Sequence, residues 1–135
     1  MLFRSVKLQI YTKDLINFYK KSKALWENDS DWSGFEWINA SDKWKNTVSF
    51  LRVSKSKRKK IIVISNFAAS EHKNHTIGVP TLGKYEVIFS SNDTRYGGSD
   101  SEKYIYTATN DKCDGREHRI QLDIPPLTTL FIATP

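Results

Sequence analysis

Few residues in this chain are of a type and spacing that could do covalent chemistry. Cys113 is the sole thiol. It sits in Asn110-Asp111-Lys112-Cys113-Asp114-Gly115, a polar, turn-like stretch, and acidic neighbours raise a thiol's pKa, which argues against a nucleophile. One cysteine also excludes an intramolecular disulfide and a multi-thiolate zinc site. His72 and His75 are spaced i, i+3 and would share a metal on a helix, but Ser70 to Asn74 reads as a solvated loop. Asp93, Asp100, Glu102, Asp111, Asp114, Glu117 and Asp123 are scattered over turns, where exposed carboxylates are ordinary, and nothing pairs them as acid and base. There is no Gly-rich phosphate loop, no Gly-x-Ser-x-Gly elbow and no His-Glu-x-x-His. The sequence therefore predicts no catalytic residue, no metal and no cofactor.

Binding is the remaining chemistry. Residues 1–60 carry a net charge of +8 and residues 61–135 a net of −2. The densest positive run is Lys55-Ser56-Lys57-Arg58-Lys59-Lys60, which is able to hold phosphates and makes a polyanion or nucleic-acid binder an alternative reading. Its aromatics do not interleave as a stacking platform needs, so a solvated hairpin turn that shields strand ends is the preferred reading, and nucleic acid is not the expected partner.

The elements that must carry these residues follow from length and periodicity. At 135 residues, 39% hydrophobic and 13% aromatic, the chain is one domain's worth with material for a real core, and it is not a disordered segment. No apolar run approaches a membrane span, and Met1 to Lys7 lacks the apolar stretch of a signal peptide, so a cytoplasmic setting without a membrane partner is expected. Leu15, Phe18, Tyr19, Ser22, Leu25 and Trp26 fall on one helical face, with Thr12 as the expected N-cap and a polar breaker cluster after Trp26. From Gly34 the period changes to strands: Phe35–Ile38, Thr47–Val53, Lys60–Asn66, Thr76–Val79, Lys84–Ser90, Tyr104–Thr109, His118–Asp123 and Leu127–Ala133. Asn39 to Asn46 reads as a turn. Ile61-Ile62-Val63-Ile64 reads as a central strand buried on both faces. Pro125-Pro126 is expected to start the last strand at a sheet edge. Short strands separated by turns predict a mainly β chain, an antiparallel sandwich or barrel, led by a helix whose apolar face needs a partner.

Leu15-Ile16-Asn17-Phe18-Tyr19 through Ala24-Leu25-Trp26-Glu27-Asn28-Asp29, followed by Gly34-Phe35-Glu36-Trp37-Ile38, resembles the junction in bacterial glycogen (1,4-α-glucan) branching enzymes of the α-amylase superfamily, where the last helix of the catalytic barrel leads into a Gly-Phe-Glu-Trp strand. Ser49-Phe50-Leu51-Arg52, Ile62-Val63-Ile64-Ser65-Asn66-Phe67, Gly78, Gly83-Lys84-Tyr85, Tyr96-Gly97-Gly98-Ser99 and Pro125-Pro126-Leu127-Thr128-Thr129-Leu130 are similar to later motifs of that family, in order. The resemblance covers residues 10–133; the first nine match poorly.

The resemblance implies an α-amylase-type C-terminal β-sandwich over residues 34–135. Residues 1–33 would be a helical segment like the end of the (β/α)₈ barrel. The partner implied is that barrel, met by Leu15, Phe18, Tyr19, Leu25 and Trp26. The barrel motifs that carry the superfamily's catalytic carboxylates have no match here, so the isolated chain is expected to be a non-catalytic accessory domain. α-1,4-Glucan or glycogen is the ligand implied. Sugars offer apolar C–H faces to an exposed aromatic ring, which makes Trp32, Trp37 and Trp44, with Asp42 beside them, the candidate residues. Trp44 is expected to be exposed; Trp37, on a strand with Phe35, is expected in the core more often than not.

Overall fold

The computed structural model describes residues 2–42 and 44–135, without the side chains of residues 2–4, 41 and 42. Two helices, α1 (Leu2–Lys21) and α2 (Lys23–Trp26), precede eight strands: β1 (Phe35–Asp42), β2 (Thr47–Val53), β3 (Lys60–Asn66), β4 (His72–Val79), β5 (Lys84–Ser90), β6 (Ile105–Thr107), β7 (His118–Ile124) and β8 (Thr128–Ala133). The strands form a six-stranded sheet in the order β1-β2-β3-β8-β5-β6 and a two-stranded sheet β4-β7. Every strand pair is antiparallel. The mainly β, antiparallel architecture behind an N-terminal helix is the one the periodicity predicts.

The core follows from strand alternation. Leu51, Val53, Ile62, Ile64, Leu130, Ile132 and Val87 point from the large sheet to Ile77, Val79, Ile120, Leu122 and Ile124 of the small one. The opposite face of the large sheet is apolar too, because β3 alternates four β-branched residues: Ile61 and Val63 face outward when Ile62 and Ile64 face inward. The helices cover that outer face. Ala24 is buried with Ile61 and Val63, and Phe18, Leu25, Phe50 and Phe131 pack around them. Phe18 stacks on Phe89 at 5.0 Å and meets Phe131 edge-on at 5.2 Å between centroids. Tyr11 continues the contact to Phe89 and Tyr96.

Four expectations are corrected. Thr12 is not an N-cap: α1 begins ten residues earlier, and the Thr12 hydroxyl donates to the Leu8 carbonyl inside the helix. The chain kinks at Ser22, whose φ of −105° and ψ of 89° separate α1 from α2. Residues 39–42 extend β1 rather than forming a turn, and His72 and His75 lie on β4 rather than in a loop. Pro125 and Pro126 do not mark an edge: β8 is an inner strand between β3 and β5, and both prolines precede its ladder.

Polar groups fix the layers. Asn66, fully buried in β3, donates from Nδ2 to the carbonyls of Ser70, Ile124 and Pro125, tying the two sheets. The Tyr96 hydroxyl donates to Asp14 Oδ2 at 2.8 Å, and Arg95 pairs with the same carboxylate at 2.9 Å, clamping α1 to the loop after β5. Burial and the Asp14 carboxylate push the Tyr96 phenol up to about 12.

Gly78 has no room for a side chain, because a Cβ there would lie 2.2 Å from the Cys113 carbonyl oxygen. Gly78→Ala is expected to lower stability by about 1–3 kcal/mol in denaturant unfolding. The Tyr96 phenol stays protonated in the fold while an unfolded tyrosine ionises near pH 10, so the unfolded chain binds fewer protons there. Stability conferred by this group is complete below pH 10 and is lost as pH rises through about 12. Tyr96→Phe is expected to flatten the alkaline limb of the stability–pH curve, read by thermal unfolding across that range.

Candidate functional site

Three of the four tryptophans flank or lie on β1. Trp32, in the 3₁₀ turn Trp32–Gly34 before the strand, is 93% exposed, and Trp44, in the turn after it, is 100% exposed. Trp37 is 54% exposed. The expected exposure of Trp44 is observed; the expectation that Trp37 leans to the core is overturned. The reason is that Trp37 pairs with Phe50 of β2, whose side chain belongs to the outer face, so ordinary alternation sends Trp37 outward with Phe35 and Ile38 into the core. β1 is the edge of the large sheet, and Trp37 stays exposed there.

Trp37 is nevertheless held in place. It meets Phe35 edge-on at 4.9 Å and Phe50 edge-on at 6.1 Å, while Phe35 and Phe50 stack at 5.1 Å. Beneath it, the Arg116 guanidinium pairs with Glu36 and donates to the Trp37 carbonyl at 3.4 Å. Asp114, in the turn with Arg116, accepts from Asn39 Nδ2 at 3.2 Å and from the Gly78 N–H at 2.9 Å. The β6–β7 connection thus braces β1 from behind, and the indole presents an immobilised apolar surface to solvent. The Asp42 side chain lies outside the described residues.

The helical residues divide. Phe18 and Leu25 are packed on the sheet and are not free for another domain. Trp26 is 39% exposed, with its Nε1–H donating to the Lys20 carbonyl at 3.1 Å. Leu15, Ile16, Tyr19 and Leu25 form one wall of an open groove of about 410 Å³ whose other side is Phe50, Arg52, Val63 and Phe131. Arg52 closes its end, pairing with Asp29 and donating to the Leu25 carbonyl at 3.3 Å. Sequence reasoning found the apolar stripe; it missed that the sheet's outer aromatics occupy half of it, because a facing strand has no signal in helical spacing.

The residues with catalytic potential assemble nothing reactive. His72 and His75 stack at 6.1 Å on β4, and no cluster of His, Cys, Asp or Glu suited to a metal occurs among the described residues. Burial is the main cause that raises the Cys113 thiol pKa, with Asp114 adding to it, so the thiolate is disfavoured. Glu71, Asp100, Glu102 and Asp123 line a small cleft of about 130 Å³ with Tyr104 and Tyr106. The Tyr104 hydroxyl donates to Asp100 Oδ2 at 2.5 Å and, with the Glu102 N–H, lowers the Asp100 pKa. A general acid needs the opposite shift.

Residues 37–134 match the family described as the alpha amylase C-terminal all-beta domain. The chain is 37% identical over 126 residues to the 1,4-alpha-glucan branching enzyme GlgB of Prochlorococcus marinus (strain NATL1A), covering 93% of this chain and 17% of that protein. It is 35% identical over 126 residues to GlgB of Halothermothrix orenii, covering 93% and 20%. It is 39% identical over 117 residues to GlgB of Butyrivibrio fibrisolvens, covering 86% and 18%. The chain spans a fifth or less of the length of these relatives.

Trp44 touches solvent alone, so Trp44→Ala is expected to change stability by less than about 0.5 kcal/mol. Trp37→Ala removes two edge-on ring contacts and is expected to cost about 1–2 kcal/mol in chemical denaturation. Equal effects of the two substitutions would contradict the bracing of Trp37.

Proposed function

This chain belongs to the alpha amylase C-terminal all-beta domain family, and we propose on that basis that it serves as a non-catalytic accessory domain of a 1,4-α-glucan branching enzyme, holding α-glucan chains for a catalytic domain that it also supports. In this reading residues 34–135 are the accessory sandwich, and residues 1–33 are a helical segment like the last helix of the catalytic barrel. The setting is glycogen biosynthesis in the cytoplasm, where a lone thiol stays reduced.

The observation that carries the glucan reading is Trp37. An α-glucan is flexible and neutral, so a binding surface gains most from a rigid aromatic plane against the sugar's C–H face, with little ordering cost on the protein side. Trp37 is exposed and fixed on two sides by Phe35 and Phe50. Trp32 and Trp44 lie at opposite ends of β1, and an eight-residue strand is about 26 Å long. One long glucan would reach all three; a short one would use Trp37 alone. The groove walled by Leu15, Ile16 and Tyr19 is the surface offered to the catalytic domain.

Titration with maltoheptaose, followed by tryptophan fluorescence, is expected to give a saturable change at millimolar sugar that is insensitive to salt. Trp37→Ala is expected to abolish it and Trp26→Phe to retain it. A wild-type chain that shows no saturable change would leave a purely structural role. The chain alone is expected to show no branching of amylose, because no catalytic carboxylate set is carried over to it.

A further inference from the structure

The positive half of the sequence acquires a shape in the fold that the linear charge run does not predict. Lys21 and Lys23, at the kink between α1 and α2, lie on one side of an open groove of about 480 Å³, and Arg58, Lys59 and Lys60 lie on the other. Its lining adds Ala24, Ile61, Ile88, Ala133 and Pro135, an apolar floor, and contributes no side-chain carboxylate. None of the five cations pairs with a carboxylate among the described residues.

The two banks are locked together rather than meeting by chance. Glu27, just after α2, accepts from the Lys55 N–H at 2.9 Å, which fastens the β2–β3 turn to the helix end. Within that turn, Ser54 Oγ accepts from the Lys59 N–H at 3.2 Å and lies 3.1 Å from Ser56 Oγ. At the far end Thr134 hydrogen-bonds the Lys60 carbonyl through N–H and hydroxyl, both at 3.4 Å. Five like charges held around one concavity repel one another, a cost that a solvated turn would relieve by splaying apart. A ligand with adjacent negative charges removes that repulsion and gains a charge-assisted contact from each bank.

We propose that this groove binds a small organic polyphosphate, with neighbouring phosphates between the Lys21/Lys23 and Arg58/Lys59/Lys60 banks and the uncharged body on the floor of Ile61, Ile88 and Ala133. The volume is that of a small-molecule site. The lining has no aromatic residue on which the bases of a single strand could stack, which favours a small anion over nucleic acid. The site is separate from the Trp37 surface, and its occupancy does not depend on glucan binding.

Calorimetric titration of the whole chain with ATP, tripolyphosphate and AMP tests this. ATP and tripolyphosphate are expected to bind at one site and to compete, with AMP at least tenfold weaker, and raising salt from low to moderate is expected to weaken ATP at least tenfold. Lys21→Gln/Lys23→Gln and Arg58→Gln/Lys59→Gln are each expected to weaken ATP tenfold or more at unchanged melting temperature. Lys55→Gln/Lys57→Gln, on the same turn but outside the groove, is expected to weaken it less than threefold. The proposal is overturned if ATP binds no tighter than AMP, if the Lys55/Lys57 pair matters as much as the groove residues, or if a DNA duplex binds tighter than tripolyphosphate.

Discussion

Strand β3 sets the terms for the whole molecule. Ile61, Ile62, Val63 and Ile64 are all buried, so the sheet they centre has two apolar faces and both must be covered. A fully buried residue of this type is worth about 1.5–3 kcal/mol, so leaving Ile61 and Val63 in water would consume much of a small domain's net stability. The inner face is covered by β4 and β7. The outer face is covered by a helix, and Phe18 on Phe89 and Phe131 is the contact that seats it. A helix that looks surplus beside a sandwich is part of its second core.

The cover is incomplete, and the incompleteness is where the surface chemistry lies. α1 and α2 roof the middle of the outer face and stop short of β1, so Trp37, Phe35 and Phe50 form an aromatic border that remains wet. The same helices leave the open groove between Leu15 and Phe50 on one flank and the cationic groove at the Ser22 kink on another. Each of the two grooves is bounded by helical residues on one side and sheet residues on the other. Their relative geometry is set by Arg52 on the Leu25 carbonyl and by Glu27 on the Lys55 amide.

The sequence made the local elements legible and left their partners hidden. The β-branched run of β3 and the alternation of β2 are written in neighbouring residues, and they appear where periodicity puts them. The exposure of Trp37 was not legible, because alternation within β1 puts it on one face with Phe35 but does not record that β1 is the edge of the sheet. The inner position of β8 was hidden for a similar reason: Pro125 and Pro126 report that their own amides cannot pair, but not where the following residues go. The early start of α1 was obscured because Thr12 followed by Asp14 has the residue types of a helix start, whereas the Thr12 side chain bonds the Leu8 carbonyl within the helix instead of capping one. The basic run was visible, whereas its closure into a groove required Lys21 and Lys23 from more than thirty residues away.

The uncovered border of the outer face, centred on Trp37, is the proposed glucan surface. Nuclear magnetic resonance of the four indole N–H groups during maltoheptaose addition addresses it directly. A progressive shift of the Trp37 signal is expected, with Trp32 and Trp44 following only as longer glucans are used, and a stationary Trp26 signal, whose N–H is bonded to the Lys20 carbonyl. A stationary Trp37 signal at saturating sugar, or a shift confined to Trp26, would contradict it.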